Sequence, residues 1–293
     1  MATREQWIEG ARPLTLPAAV APVLLGSAIA KFEGGFNPII AILALIVSLA
    51  LQVGVNYAND YSDGIRGTDA NRVGPVRLVG QELASPTEVQ RAAFISFGLA
   101  AVAGLGISVI SELWILIPVG LLSILAAWFY TGGKSPYGYA GFGELFVFVF
   151  FGLVAVVGTT FAQTGFISWV AVLGGISCGA LSSAILIANN LRDIPTDTLT
   201  GKRTLAVKLG DQRTRELYRF AIVVAFVMPI IESFQPSGPV NAYVGLFAIL
   251  SARYPLHLIR SGVTGPELIP VLMFTGRLLL IFSVISSIAI WFS

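Results

Sequence analysis

About nine apolar stretches, each close to membrane-crossing length, run through this 293-residue chain and limit what it can fold into. They lie near 14–31, 38–57, 90–110, 113–130, 142–162, 166–188, 216–232, 241–258 and 268–292. A hydrocarbon layer about 30 Å thick takes roughly 20 apolar residues in helical form. Inside it every backbone N–H and C=O needs a protein partner, so only helices and closed barrels can span. Barrel strands alternate lumen-facing and lipid-facing side chains, and these runs do not alternate. The chain is therefore predicted to be an all-α integral membrane protein, with about nine transmembrane helices in a single polytopic domain over residues 1–293. Its charge content agrees. Asp, Glu, Lys and Arg make up 12% of the residues, against ~25% in a soluble domain.

The stretch at 14–31 has the outline of a signal peptide, with Arg4 before it and Ser27-Ala-Ile-Ala30 at its end. Pro13, Pro17 and Pro22 in this region, and the polytopic chain behind it, point instead to a retained span. The single cysteine, Cys178, sits in an apolar stretch; it has no intrachain disulfide partner and reads as a small packing residue. His257 is the only histidine, which nearly rules out a histidine-based metal site or a Ser-His-Asp triad. A dispersed net charge of +2 gives no basic face for nucleic acid.

The basic residues predict orientation. Arg4 and Arg12 precede the first stretch, and Arg66, Arg72, Arg77 and Arg91 separate the second from the third. Lys134 separates the fourth from the fifth, and Arg192, Lys202, Arg203, Lys208, Arg213 and Arg215 the sixth from the seventh. The alternate loops hold little beyond Lys31. Positive residues favour the cytoplasmic face, which puts the N-terminus and these loops there, in a cell's inner or plasma membrane or the equivalent organelle membrane.

Two polar strings continue from apolar stretches. The first is Asn56-Tyr-Ala-Asn59-Asp60-Tyr-Ser-Asp63-Gly-Ile-Arg66-Gly67-Thr-Asp69, and the second is Asn189-Asn190-Leu-Arg192-Asp193-Ile-Pro-Thr-Asp197-Thr-Leu-Thr-Gly201-Lys202-Arg203-Thr204. Each has an Asn four residues before its first Asp and a Gly four residues after its second. Asn56 to Asn189 is 133 residues and Asp63 to Asp197 is 134, which predicts two related halves, about 1–140 and 141–293. On a helix, residues 56, 60, 63 and 67 fall on one stripe, as do 189, 193 and 197. Pro195 disfavours helix at Ile194, so the second stripe is expected to break between its aspartates. The two stripes are expected to face each other across a cavity near the cytoplasmic interface.

Carboxylates near a bilayer are costly and mark function by default. A solvated polar loop does not explain two matched arrays continuing from spans. A cation transporter built on inverted repeats explains the acids, but Lys134, Lys202 and Arg203 would repel its cargo. Asp60-x2-Asp63-Gly64 resembles the opening of the CDP-alcohol phosphotransferase signature, which continues differently at Gly67-Thr68. A diphosphate carried on magnesium uses every part. Mg²⁺ takes one or two carboxylates together with phosphate oxygens and water. Asp60, Asp63, Asp193 and Asp197 are the candidate metal ligands, for Mg²⁺ or alternatively Mn²⁺. Lys134, Lys202 and Arg203 are candidates to neutralise the remaining oxygens, and Asn56, Asn59 and Asn189 to orient ligands. Metal and cations together stabilise a departing diphosphate. A prenyl diphosphate, whose tail stays in membrane lipid, is the substrate such a site suits.

Over essentially the whole chain these residues resemble the UbiA superfamily of membrane prenyltransferases. The resemblance rests on Asn59-Asp60-x2-Asp63, Asp193-x3-Asp197, Gly201-Lys202-Arg203-Thr204-Leu-Ala-Val and Tyr130-x3-Lys134. Arg12-Pro-Leu-Thr-Leu-Pro17, Tyr137-Gly-Tyr-x-Gly-x-Gly143-Glu144 and Asn190-Leu-Arg-Asp-Ile-Pro-Thr-Asp197 look most like the branch that prenylates 1,4-dihydroxy-2-naphthoate for menaquinone. The resemblance implies helices around a central cavity under a cytoplasmic polar cap. It also implies a Mg²⁺-held prenyl diphosphate and a ring carbon that exchanges its carboxylate for the prenyl chain. Tyr130 enters the candidate site on this basis. Arg77 is a candidate for a phosphate or the naphthoate carboxylate, and Glu144, Thr15 and Gln52 are candidates to reach the cavity. Phe142, Phe146, Phe148, Phe150 and Phe151 read as packing or lipid contacts before any role in shielding a carbocation.

Overall fold

The computed structural model describes residues 2–67, 76–235 and 238–293. Asp69 and Arg72 lie outside the described residues. Helices make up the chain, and no strand occurs among the described residues. In order they are α1 (Arg4–Gly10), α2 (Pro17–Phe32), α3 (Pro38–Ile65), α4 (Pro86–Ser111) and α5 (Leu116–Phe129). Next come α6 (Gly143–Phe148), a π-helical turn (Val149–Val154) and α7 (Ala155–Thr164), which together form one span, and then α8 (Trp169–Leu199). The last are α9 (Leu205–Ser233), a 3-10 segment (Val240–Ala252) that leads into α10 (Arg253–Ser261), and α11 (Ile269–Trp291).

By length and apolarity six helices can cross a membrane: Pro38–Ile65, Pro86–Ser111, Gly143–Thr164, Trp169–Leu199, Val240–Ser261 and Gly265–Trp291. The count is seven if Arg4–Thr15 and Pro17–Phe32, bent by 51°, form one span. The expected stretch at 113–130 is the shorter helix α5. That at 216–232 lies within α9, whose first turns carry Lys208, Asp211, Arg213 and Arg215. The chain is an integral, multi-pass membrane protein.

Local chemistry sets the helix starts. Asn37 accepts from the backbone N–H of Ile39 and Ile40 ahead of Pro38, and Ser85 and Glu88 form a capping box ahead of α4. Lipid gives no hydrophobic force between helices, so close packing of small residues holds them. Gly152 in the π-helical turn lies directly against Gly175 and Gly179 of α8. The largest core gathers α2, α8, α9 and α11 around Leu25, Leu181, Tyr218, Leu278 and Phe282. A second, around Tyr57, Leu78, Val89 and Phe97, joins α3 and α4.

One local expectation is overturned. Pro195 does not break α8, which runs on to Leu199 and carries Asp193 and Asp197 on the same helix. The proline removes only the N–H that Leu191 C=O would accept, and packing in the bundle holds the rest; Leu191, Arg192 and Asp193 are all buried. Gly67 is also not on the α3 stripe. It follows the helix in the left-handed region (φ 69°), as Gly201 follows α8 (φ 76°), so the matching glycines are helix stops.

Candidate active site

A cavity of about 590 Å³ lies between α3, α4 and α5 on one side and α2, α6, α7 and α8 on the other. Its polar end collects Asn56, Asn59 and Asp63 from α3 with Asn189, Asn190 and Asp197 from α8. The two stripes do meet across one space, because each helix carries its motif in its last turns. Tyr130, Tyr139 and Lys202 join them from the connecting loops. The rest of the wall is mostly apolar, interrupted by Arg12, Thr15, Ser48, Gln52, Ser123, Thr159 and Ser182. Leu105, Ile117 and Leu121 belong to that wall and are exposed, which places the open part of the cavity between α4 and α5.

Lys202 Nζ stands 3.0 Å from Asp63 Oδ1, and both residues are buried. Tyr139 Oη donates to the same carboxylate oxygen, and the Lys202 ammonium lies 4.5 Å from the Tyr139 ring centroid. Lys202 is carried there by the turn that ends α8, where its N–H bonds Asp197 C=O at 2.9 Å. Thr204 Oγ1 donates to Asp197 Oδ2 at 3.5 Å. Asn59 Oδ1 accepts from Thr131 Oγ1 at 2.8 Å. Arg66 donates to the carbonyls of Thr131 and Gly133, and its guanidinium is 5.5 Å from the Tyr139 ring, fixing the turn after α5 to the end of α3. Deeper in, Thr15 Oγ1 gives its proton to Arg12 C=O (2.8 Å) and accepts from Gln52 Nε2 (2.8 Å) and Asn56 Nδ2 (3.0 Å). Thr15 and Gln52 both line the cavity. So does Tyr137, whose phenol burial pushes up, keeping it a donor to Ala126 C=O at 2.7 Å.

The first aspartate of each motif is engaged differently from the second. Asp60 is fully buried and accepts from the backbone N–H groups of Leu78 (2.7 Å) and Val79 (3.1 Å). Asp193 takes both Nε (2.7 Å) and Nη2 (2.8 Å) of Arg192, whose Nη2 also reaches Asn189 Oδ1 at 2.9 Å. Neither Asp60 nor Asp193 is part of the cavity wall, while Asp63 and Asp197 are.

Lys134 and Arg203 are not brought to the cavity; both are exposed. The Arg203 backbone N–H instead bonds Tyr139 C=O at 2.9 Å, holding the two cap loops together. Arg77 is buried beside the segment that Asp60 holds, outside the wall. Glu144 is buried next to the cavity, accepting from Asn190 Nδ2 at 2.9 Å. Of the five phenylalanines, Phe146, Phe150 and Phe151 line the cavity and Phe142 and Phe148 do not. Tyr139, Thr131 and Arg66 are absent from the sequence-based candidate set. Tyr139 was visible there only as part of the Tyr137-Gly-Tyr string, and nothing local says which way its ring turns.

Residues 19–266 match the UbiA prenyltransferase family. The chain belongs to the UbiA prenyltransferase family. Within it, the chain is 52% identical over 283 residues to 1,4-dihydroxy-2-naphthoate octaprenyltransferase of Mycobacterium tuberculosis, covering 97% of this chain and 96% of that one. It is 38% identical over 229 residues to the enzyme of the same name from Escherichia coli, covering 76% and 74%. Among solved structures the fold is similar to an apo UbiA homolog from Aeropyrum pernix (TM-score 0.70, 15% identity, 97% of this chain and 98% of that one). It is also similar to a UbiA homolog from Archaeoglobus fulgidus bound to GPP and Mg²⁺ (TM-score 0.67, 15% identity, 98% and 100%). This UbiA-family chain is a membrane prenyltransferase.

The residues present suit Mg²⁺ held jointly with a diphosphate. Among the described residues no group of three or more His, Cys, Asp or Glu side chains forms a self-sufficient metal site. Asp63 and Asp197 line the cavity among four asparagine amides. That donor set is all hard oxygen, with one or two carboxylates per ion and the remaining positions left to phosphate and water.

Proposed function

We propose that this UbiA-family enzyme transfers a prenyl group from an allylic prenyl diphosphate to 1,4-dihydroxy-2-naphthoate with loss of CO2. The product would be a demethylated quinol precursor of menaquinone or phylloquinone. The observation that carries the reading is a single cavity with a carboxylate and amide end, Asp63 and Asp197 among Asn56, Asn59, Asn189 and Asn190, and a mostly apolar wall open between α4 and α5. The acceptor is carried over from the relatives, since the near-full-length one is named for that naphthoate.

In this reading the isoprenoid tail lies along the apolar wall, which fixes the diphosphate at the polar end. Bound Mg²⁺, or Mn²⁺, shared by the carboxylates and diphosphate oxygens, would neutralise charge as the leaving group departs. Lys202 shifts from Asp63 toward a phosphate oxygen, and Tyr139 keeps Asp63 oriented. Asp60 and Asp193, expected from the sequence as metal ligands, are instead proposed to hold the Leu78–Val79 segment and the Arg192 side chain around the site. Arg77, buried outside the wall, can anchor the acceptor carboxylate only once the segment before Leu78 turns it into the cavity.

The allylic C–O bond breaks with its electron pair leaving on diphosphate. Phe146, Phe150 and Phe151 line the cavity where the allylic cation forms, and aromatic faces stabilise cations. The carboxyl-bearing ring carbon then forms the new C–C bond. CO2 departs, and its bonding pair restores the aromatic ring. The hydroxyl-bearing ring is already electron-rich, so the protein's main tasks are to promote ionisation and align the partners. The polar end is proposed to face the cytoplasm.

Purified enzyme in lipid, with Mg²⁺, one prenyl diphosphate and a panel of aromatic acceptors, tests this reading. The expected product from carboxyl-labelled 1,4-dihydroxy-2-naphthoate is a prenylated ring that has lost the label, with one CO2 per diphosphate. A prenylated product that retains the label, or turnover only with 4-hydroxybenzoate, homogentisate or a chlorophyllide, would replace the proposed acceptor. It would leave prenyl transfer standing.

A further inference from the structure

Outside the cavity wall, the last turns of the Val240–Ser261 helix and the middle of α11 carry cations that the reaction does not use. Reading toward the cap along the first from Tyr243, the exposed side chains are Tyr243, Phe247, Ile249 and Leu250, then Arg253, Tyr254, His257, Arg260 and Ser261. Reading toward the same end along α11, they are Ile288, Val284 and Ile281, then Arg277. The first helix therefore changes from apolar to cationic over a single turn, whereas α11 offers one cation, Arg277, with apolar residues on both sides of it.

These cations fall at one level. The Tyr254 and Phe274 rings meet edge to face at 4.7 Å, and the Arg277 guanidinium lies 5.0 Å from the Phe274 centroid. The level belongs to the cap end of the molecule. Arg215, near the start of α9, donates to the carbonyls of Ile259 (3.1 Å) and Val263 (2.7 Å), tying the end of α10 to the loops that hold Lys202. Among the described residues Arg253, Arg260 and Arg277 form no ion pair, and the exposed face of α10 carries no carboxylate. Apolar side chains mark hydrocarbon and aromatic residues mark the interface, so in a bilayer the guanidinium groups would stand at the level of the lipid phosphates.

We propose that the exposed face where α10 packs on α11 is a binding site for a phospholipid of net negative charge in the cap-side leaflet. Its phosphate is held by Arg253 and Arg277 beside the Tyr254–Phe274 pair, and Arg260 adds attraction from above. Arginine suits the role because its planar fork makes paired bonds to phosphate. The acyl chains descend over Phe247, Leu250, Ile281 and Val284, which are already exposed. The site does not rest on the proposed acceptor.

The test is native mass spectrometry of the full chain, released from bilayers of phosphatidylcholine with a minor fraction of phosphatidylglycerol. The wild type should retain phosphatidylglycerol above its bulk fraction. The Arg253→Gln/Arg277→Gln variant should lose that enrichment by roughly fivefold per arginine, while Arg91→Gln, exposed on α4, keeps it. Prenyl transfer by the double variant in pure phosphatidylcholine, equal to that of the wild type, establishes that it is folded. Equal enrichment in wild type and double variant, or none in the wild type, would overturn the site.

Discussion

Asp60 and Asp63 sit three residues apart on α3 and do different work. Asp60 faces backbone N–H groups of the Leu78–Val79 segment, and Asp63 faces the cavity with Lys202 and Tyr139. Asp63→Asn and Asp197→Asn are expected to lower kcat/KM for the prenyl donor and to raise the Mg²⁺ concentration needed for half-maximal rate. Asp60→Asn keeps one acceptor oxygen but loses the charge on two short bonds. It should lower the melting temperature, by the equivalent of about 1.5–3 kcal/mol, with the Mg²⁺ requirement unchanged. A raised Mg²⁺ requirement in Asp60→Asn would return that residue to the metal shell. The two cations of the Lys202-Arg203 pair separate in the same way. Lys202→Met should cost roughly ten- to hundredfold in kcat/KM for the donor, the scale of one charge-assisted bond, whereas the exposed Arg203→Met should change it less than about threefold. Comparable losses in both would mean that the cap rearranges to bring Arg203 inward when the donor binds.

At the scale of elements, the helices and the meeting of the two Asn-Asp strings are legible in the sequence, for a physical reason. Asn56, Asp60 and Asp63 repeat near the period of a helix, and a continuous apolar run ahead of them has no other structure open to it in lipid. Loop direction is not legible. Lys134 and Lys202 look alike in sequence, yet only Lys202 is turned inward, because Gly201 stops α8 and folds the next residue back onto it. Pro195 is misleading for the opposite reason, since a local preference against helix gives way to burial on both sides of α8. The π-helical turn has no signature in Val149–Val154, but its partner does. Gly152, Gly175 and Gly179 permit backbone contact, and a Cβ on Gly152 would stand 2.4 Å from Gly179 Cα. Gly152→Ala is therefore expected to destabilise the protein by about 1–3 kcal/mol as the helices part. Gly98→Ala, where nothing lies within 4 Å, should not. Thermal unfolding in a single detergent compares them, and an undisturbed Gly152→Ala would mean that the segment can slide.

For the whole molecule, the side opening framed by Leu105, Ile117 and Leu121 changes what concentration means for this enzyme. In the proposed reaction a long isoprenoid donor gains roughly 0.8 kcal/mol for each methylene-sized group it buries, so it would dissolve almost entirely in the bilayer and reach the protein by two-dimensional diffusion. Saturation then follows mole fraction in the membrane, and micromolar values measured in buffer describe the amount of lipid as much as the enzyme. With enzyme and donor held fixed and subsaturating, tripling the inert phospholipid in fused vesicles should slow turnover about threefold. A rate indifferent to added lipid would mean entry from water. The product inherits the tail without the diphosphate, so it leaves by the same side and accumulates in the membrane. The bilayer is thus solvent, supply and sink at once, and its area sets how long the reaction runs before its own product competes for the opening.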